Sequence, residues 1–208
     1  MLDIIQLLIM KKILLLITLM ICLGCSHKQE NQDIECSCPH VTICLQPLDN
    51  FTKKEALSLV PVLEDKFGYW IYGEWKFKVL DPKPLPKDAF VANRNRYRTT
   101  PILNMEKKLL TSDEIIIGLT HKDICADVHN IKNYGIMGMS YLGGQVCIVS
   151  DKRLKNKSYY WKLILHEFMH TFYKAPHCPK DDPTCIMKDA KGHGNLKIQN
   201  KLCDSCKQ

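Results

Sequence analysis

The chain has 208 residues, 46% of them hydrophobic and 25% charged, the size of one domain with a proper core. Its net charge of +7 comes from lysines spread along the chain. With no basic helix and no interleaving of basic and aromatic residues, nucleic acid is excluded as the expected partner.

Residues 1–24 read as a signal peptide. Met10-Lys11-Lys12, the expected true start, forms a positively charged region before the apolar run Ile13 to Leu23. Leu23-Gly24-Cys25-Ser26 resembles the lipobox of bacterial lipoproteins, in which cleavage precedes the cysteine and Cys25 carries the lipid. The apolar run is interrupted by Gln6, Lys11 and Lys12, and its unbroken part is short for a bilayer crossing, which favours a lipid anchor over a retained span. Residues 25–38 follow as the lipidated cysteine and a polar, flexible tether. The expected location is therefore outside the cytoplasm, anchored to a bacterial membrane on its periplasmic or cell-surface face.

Residues 39–208 form the folded domain. Val41 to Leu45 reads as a buried strand. Thr52-Lys53-Lys54-Glu55 is a capping box opening a helix that runs to Gly68, with Leu57, Val60 and Leu63 facing inward and Pro61 kinking or locally breaking it. Trp75 to Leu80 is a second strand, followed by a turn rich in proline at Pro82, Pro84 and Pro86. A helix over Asn104 to Leu110 and strands over Glu114 to Thr120 and Gln145 to Ser150 complete the frame. The pattern is α/β, a mixed twisted sheet with a late helix. Tyr69, Trp70, Tyr72 and Trp75 cluster around a turn and are assigned to packing.

The late helix carries the chemistry. Ser158 is its expected N-cap, and Trp161, Leu165, Phe168 and Phe172 recur at three- and four-residue steps. Leu163, Ile164 and Met169 add apolar positions, so burial on most sides is expected. His166 and His170 stand four apart and project from one face toward a common metal. Glu167 is placed to take a proton from a metal-bound water. Pro176 forces the chain out of the helix, and His177 turns back as a third ligand. Three protein ligands with the fourth position open is the pattern of a catalytic zinc.

The tail supplies a second ligand set. Cys178, Cys185, Cys203 and Cys206 offer four thiolates in two groups, as in a closed structural zinc site. Two disulfides are the alternative; a Cys203–Cys206 bridge would close a very short loop and add little, so zinc is favoured. Of the remaining cysteines, Cys44 and Cys147 lie in apolar runs and read as small buried side chains, while Cys36, Cys38 and Cys125 have no assigned partner.

HExxH followed by His177-Cys178, then Cys185-Ile186-Met187, then a terminal CxxC, resembles the archaemetzincin (archaelysin) family of zinc metallopeptidases. Ile115 to Thr120 with Asp123 is similar to that family's GLT..D strand, and Val149-Ser150 with Arg153-Leu154 to its VS..RL segment. The resemblance covers roughly residues 40–206. It implies a single metzincin-like domain with a C-terminal zinc-binding tail and two zinc ions. The catalytic ion would be held by His166, His170 and His177, and the structural ion by Cys178, Cys185, Cys203 and Cys206. It also implies Glu167 as general base, Met187 beneath the catalytic metal, and a peptide or protein substrate cleaved by a monomer attached to the membrane through its lipid. The chain departs from the family pattern in two places, a longer spacing from His177-Cys178 to Cys185 and the loop before His177. The third histidine arrives one residue late, and Tyr173 or Lys174 occupies the place of a turn glycine. Either the longer loop turns without a left-handed residue, or it holds His177 off the metal and leaves a catalytically degenerate, zinc-binding surface lipoprotein. Tyr173 is a candidate either to assist the oxyanion or simply to pack.

Overall fold

The computed structural model describes residues 40–111, 113–128, 130–191 and 195–207; the signal, Cys25 and tether expectations lie outside them. The main sheet contains β1 (His40–Pro47), β2 (Glu74–Val79), β5 (Glu114–Thr120), β8 (Gly138–Ser140) and β9 (Val146–Ser150), in the order β2-β1-β5-β9-β8. All its pairings are parallel except β8 on β9, which is antiparallel and leaves β8 at the edge. A second sheet of four short strands, β3 (Phe90–Val91), β4 (Arg96–Arg98), β6 (Ile124–Val128) and β7 (Ile131–Ile136), runs β3-β4-β6-β7. The helices are α1 (Lys53–Trp70), α2 (Thr99–Lys107) and α3 (Tyr160–Phe172).

The central parallel strands are apolar on both faces because helices cover both. Alternation along each strand divides the core. Ile43, Leu45, Ile117, Leu119, Cys147 and Val149 face α1 and α3, whereas Cys44, Ile116 and Ile148 share a second core with Ile102 and Leu103 of α2. The ends of β5 and β9 are tied by one carboxylate. Asp123 accepts from Arg153 Nε (2.6 Å) and Nη2 (2.8 Å), and from Arg96 Nε (2.9 Å) at the start of β4. Burial alone would raise the Asp123 pKa, but the two guanidinium groups hold it below the usual carboxylate range. A Cβ at Gly135 of β7 would overlap the Arg153 guanidinium, so the bare residue gives that arginine its place.

Several elements depart from expectation. The Thr52–Glu55 capping box forms, but α1 continues through Pro61 and past Gly68 as one helix. Pro61 and Leu57 both lie on the exposed face, so the hydrogen bond that the ring forfeits is on the water side. Leu57 is accordingly 53% exposed rather than inward. The buried stripe is Ala56, Leu63 and Phe67, with Val60 packed against it. α2 begins five residues earlier than expected. Pro101 sits in its first turn, where the missing N–H has no intrahelical partner to lose, and residues 108–110 form a closing turn instead. Ser158 does not cap α3; Asn156 caps a short 3₁₀ turn, accepting from Ser158 N at 2.9 Å, and α3 follows it.

One buried group conflicts with its surroundings. Glu106 of α2 is fully buried, and among the described residues neither carboxyl oxygen has a hydrogen-bond partner. Its carboxyl lies over Gly118, where a Cβ would overlap it. Gln46, paired in register with Gly118, also leaves its Oε1 without a partner. Burial pushes the Glu106 carboxyl well above its ordinary range. The folded protein thus holds a proton that the unfolded chain releases above about pH 4.5, and the stability tied to that proton is lost as pH rises through the folded value. Glu106→Gln should therefore gain stability relative to the parent as pH rises from about 4.5 to 8, by about 1–3 kcal/mol in denaturant melts. A pH-independent difference would contradict the buried, protonated acid.

Candidate metal centres

Aromatic rings pack against one side of α3. Phe168 lies with its ring centroid 4.9 Å from Phe67, 5.2 Å from Trp75 and 5.4 Å from Phe172. His166 and His170 leave the helix elsewhere, and their Nε2 atoms stand 3.1 Å apart. Each ring is oriented by a carbonyl: His166 Nδ1 donates to Ile186 O (2.8 Å) and His170 Nδ1 to Ala175 O (2.6 Å). A carbonyl only accepts, so the proton is on Nδ1 and both Nε2 lone pairs point at the shared space. Burial lowers the pKa of both rings and of His177. That of His170 falls to about 4, with the neighbouring His166 contributing, so all three are neutral ligand donors near pH 7.

The longer loop does bring His177 in. The ligand atoms of His166, His170 and His177 all lie within 4.8 Å of one another, and the His177 ring centroid is 4.7 Å from that of His170. The turn is not made without a left-handed residue. Lys174 takes φ +54°, unusual outside glycine, and Ala175 N closes the turn on Met169 O at 3.2 Å. The side chain of Lys174 lies over Gly143 in the β8–β9 turn, whose N–H donates to His170 O at 3.1 Å. His177 itself is half exposed, with Asp189 Oδ2 4.0 Å from its Nδ1.

Cys178, Cys185, Cys203 and Cys206 form the second group, all buried and all as free thiols, with sulfur atoms within 4.8 Å of one another. Cys203 Sγ is 3.6 Å from Cys178 Sγ and 3.5 Å from Cys206 Sγ. A disulfide brings its sulfurs to about 2.05 Å. The edge of a tetrahedron with Zn–S of about 2.3 Å is about 3.8 Å, which these spacings approach. The tail reaches this position because Lys162 of α3, itself buried, donates to Leu196 O (2.7 Å) and Gln199 O (2.5 Å). The remaining described cysteines, Cys44, Cys125 and Cys147, are free and buried in strands.

Glu167 is buried at 8% exposure, and burial raises its carboxyl pKa despite the opposing effects of His170 and Ser140. Ser140 Oγ donates to its Oε2 at 2.7 Å, and a Cβ at Gly138 would overlap the carboxylate. Neither residue stood out in the sequence; the one available signal was a Gly-x-Ser alternation on a short strand. Of the two readings of Tyr173 the structure favours packing: its hydroxyl donates to Tyr72 O at 2.9 Å and its ring packs on Trp75 and Phe172. Met187 is fully buried, and its carbonyl accepts from Cys178 N at 2.7 Å.

No family model matches the chain. It is similar to curated archaemetzincins: 26% identical to that of Haloquadratum walsbyi over 144 residues, covering 62% of this chain and 79% of the relative. It is 25% identical to that of Methanocaldococcus jannaschii over 177 residues, covering 79% and 89%. The fold superimposes on the crystal structure of archaemetzincin from Methanopyrus kandleri with a TM-score of 0.67 and 25% identity, over 81% of this chain and 92% of that one. Together with the histidine and cysteine groups, these likenesses support zinc binding.

The two groups can be separated experimentally. Cys203→Ser should lower the melting temperature and the zinc content by one ion. His170→Ala should also lose one ion, with a smaller fall in melting temperature than Cys203→Ser. Elemental analysis and thermal melts of the two variants check this.

Proposed function

We propose that this chain, which its likeness in sequence and fold groups with the archaemetzincins, is a zinc-dependent metallopeptidase. The observation that carries the reading is the convergence of three neutral imidazoles on one space, beside a buried carboxylate that is not needed as a ligand. Zinc held by His166, His170 and His177 would supply a Lewis acid that acidifies water and polarises a carbonyl. Glu167 takes the proton as the water oxygen attacks the peptide carbonyl carbon, then delivers it to the leaving amine nitrogen as the C–N bond breaks. β8, at the sheet edge next to Glu167, offers backbone groups with which an extended peptide can pair. A second zinc on Cys178, Cys185, Cys203 and Cys206 would be structural, closing all four positions. Met187 is assigned beneath the catalytic ion on the family resemblance.

The alternative reading, a binding protein that has lost catalysis, draws on the non-glycine residue at φ +54° and the half-exposed His177. It leaves unexplained why a buried carboxylate is kept beside the ligands, oriented by its own hydrogen bond. Export and lipid attachment at Cys25, with the domain acting as a monomer at the membrane surface, complete the proposal. Among the described residues no helix is long and apolar enough to cross a membrane.

Glu167→Ala should lower peptide cleavage by about 100- to 10,000-fold while keeping zinc. The check is incubation of zinc-loaded residues 26–208 with a diverse peptide mixture, read by mass spectrometry, beside elemental analysis. Loss of zinc in the variant would refute the non-ligand role, and cleavage by neither protein would favour the binding-protein reading.

A further inference from the structure

Glu167 has two carboxyl oxygens, and a general base needs one of them free and aimed. Nothing within α3 sets that aim. The helix fixes the Cα–Cβ direction, but the side-chain torsions beyond it are free unless something outside the helix holds them. That outside element is β8. Its antiparallel register on β9 pairs Gly138 with Val149, Met139 with Ile148 and Ser140 with Cys147. Strand alternation therefore puts Gly138 and Ser140 on one face, toward α3, while Met139 packs into the second core on the other. At Gly138 the missing side chain leaves room for the Glu167 carboxylate, and at Ser140 the hydroxyl donates to Oε2. The carboxylate is thus tied to Ser140 through Oε2, and its Oε1 occupies the room that the bare Gly138 leaves.

We propose that Ser140 is a positioning residue for the reaction: it holds Glu167 through Oε2 in the orientation from which Oε1 exchanges protons with water and the leaving amine. The inference rests on the metallopeptidase reading. It also makes β8 dual in function, because the strand whose outer edge offers pairing to a peptide is the one whose inner face sets the base. Docking of substrate and aim of the base are then set by the same three residues.

The test pairs Ser140→Ala with Ser140→Thr, which keeps a hydroxyl, in the zinc-loaded protein. For Ser140→Ala, kcat on a cleaved peptide should fall about 10- to 100-fold, the range a misaimed catalytic group produces, with KM and zinc content unchanged. Ser140→Thr should stay close to the parent. A merely structural serine would move the melting temperature or KM without this split and without rescue by threonine. Crystal structures of the zinc-loaded parent and Ser140→Ala give a readout free of activity. The Glu167 carboxylate should sit on Ser140 in the parent and turn away or take several conformers in the variant. An unmoved Glu167 in Ser140→Ala, or an unchanged kcat, overturns the proposal. If the parent cleaves no peptide the metallopeptidase reading fails, and the Glu167 orientation still decides whether Ser140 positions it.

Discussion

His177 and Cys178 are consecutive, so the third imidazole and the first thiol of the cysteine group cannot move independently. The same coupling recurs eight residues on. Cys185 belongs to the thiol group, the next residue's carbonyl orients His166, and Met187 O receives the Cys178 N–H. Two short segments thus carry both groups and are bonded to each other. Whatever closes the cysteine group also fixes the entry of His177 and the ring of His166. The histidine group has little else to hold its third member, since the loop before it depends on a lysine in a left-handed conformation. The cysteine group therefore substitutes for the local precision that a shorter glycine turn would have provided.

The other half of the frame is α3 and its packing. Phe168 and its aromatic neighbours secure one side of the helix, and Lys162 ties the tail to its first turns. Asp123 joins β5, β9 and β4 through two arginines, which sets where the chain leaves the sheet before entering α3. Beside the helix, β8 brings Gly138 and Ser140 to Glu167. Helix, strand and tail each contribute one part of the candidate site, and none of the three would assemble it alone.

Much of this was legible in the sequence, for physical reasons. Side chains that can bind a metal are few in kind and their spacing is constrained, so the grouping of His166, His170 and His177, and of the four tail cysteines, is readable from the sequence. The Thr52–Glu55 capping box is local and formed as read. What stayed hidden depends on neighbours distant in sequence. Ser140 and Glu167 are 27 residues apart, and Asp123 and Arg153 are 30 apart, so only the sheet order brings either pair together. The second sheet was missed because β3, β4, β6 and β7 are short and mostly half-exposed, with no clean alternation. Leucine carries a stronger apolar signal than alanine, yet Leu57 faces solvent and the smaller Ala56 is buried in the core.

One chain gathers two candidate ligand groups, three imidazoles and four thiols, through a shared stretch of backbone. X-ray diffraction at the zinc edge distinguishes the two groups. Two anomalous peaks per chain are expected, one within about 2.1 Å of a nitrogen from each of His166, His170 and His177, the other about 2.3 Å from four sulfurs. A single peak, a disulfide among Cys178, Cys185, Cys203 and Cys206, or a metal on His166 and His170 with His177 turned away would contradict this arrangement.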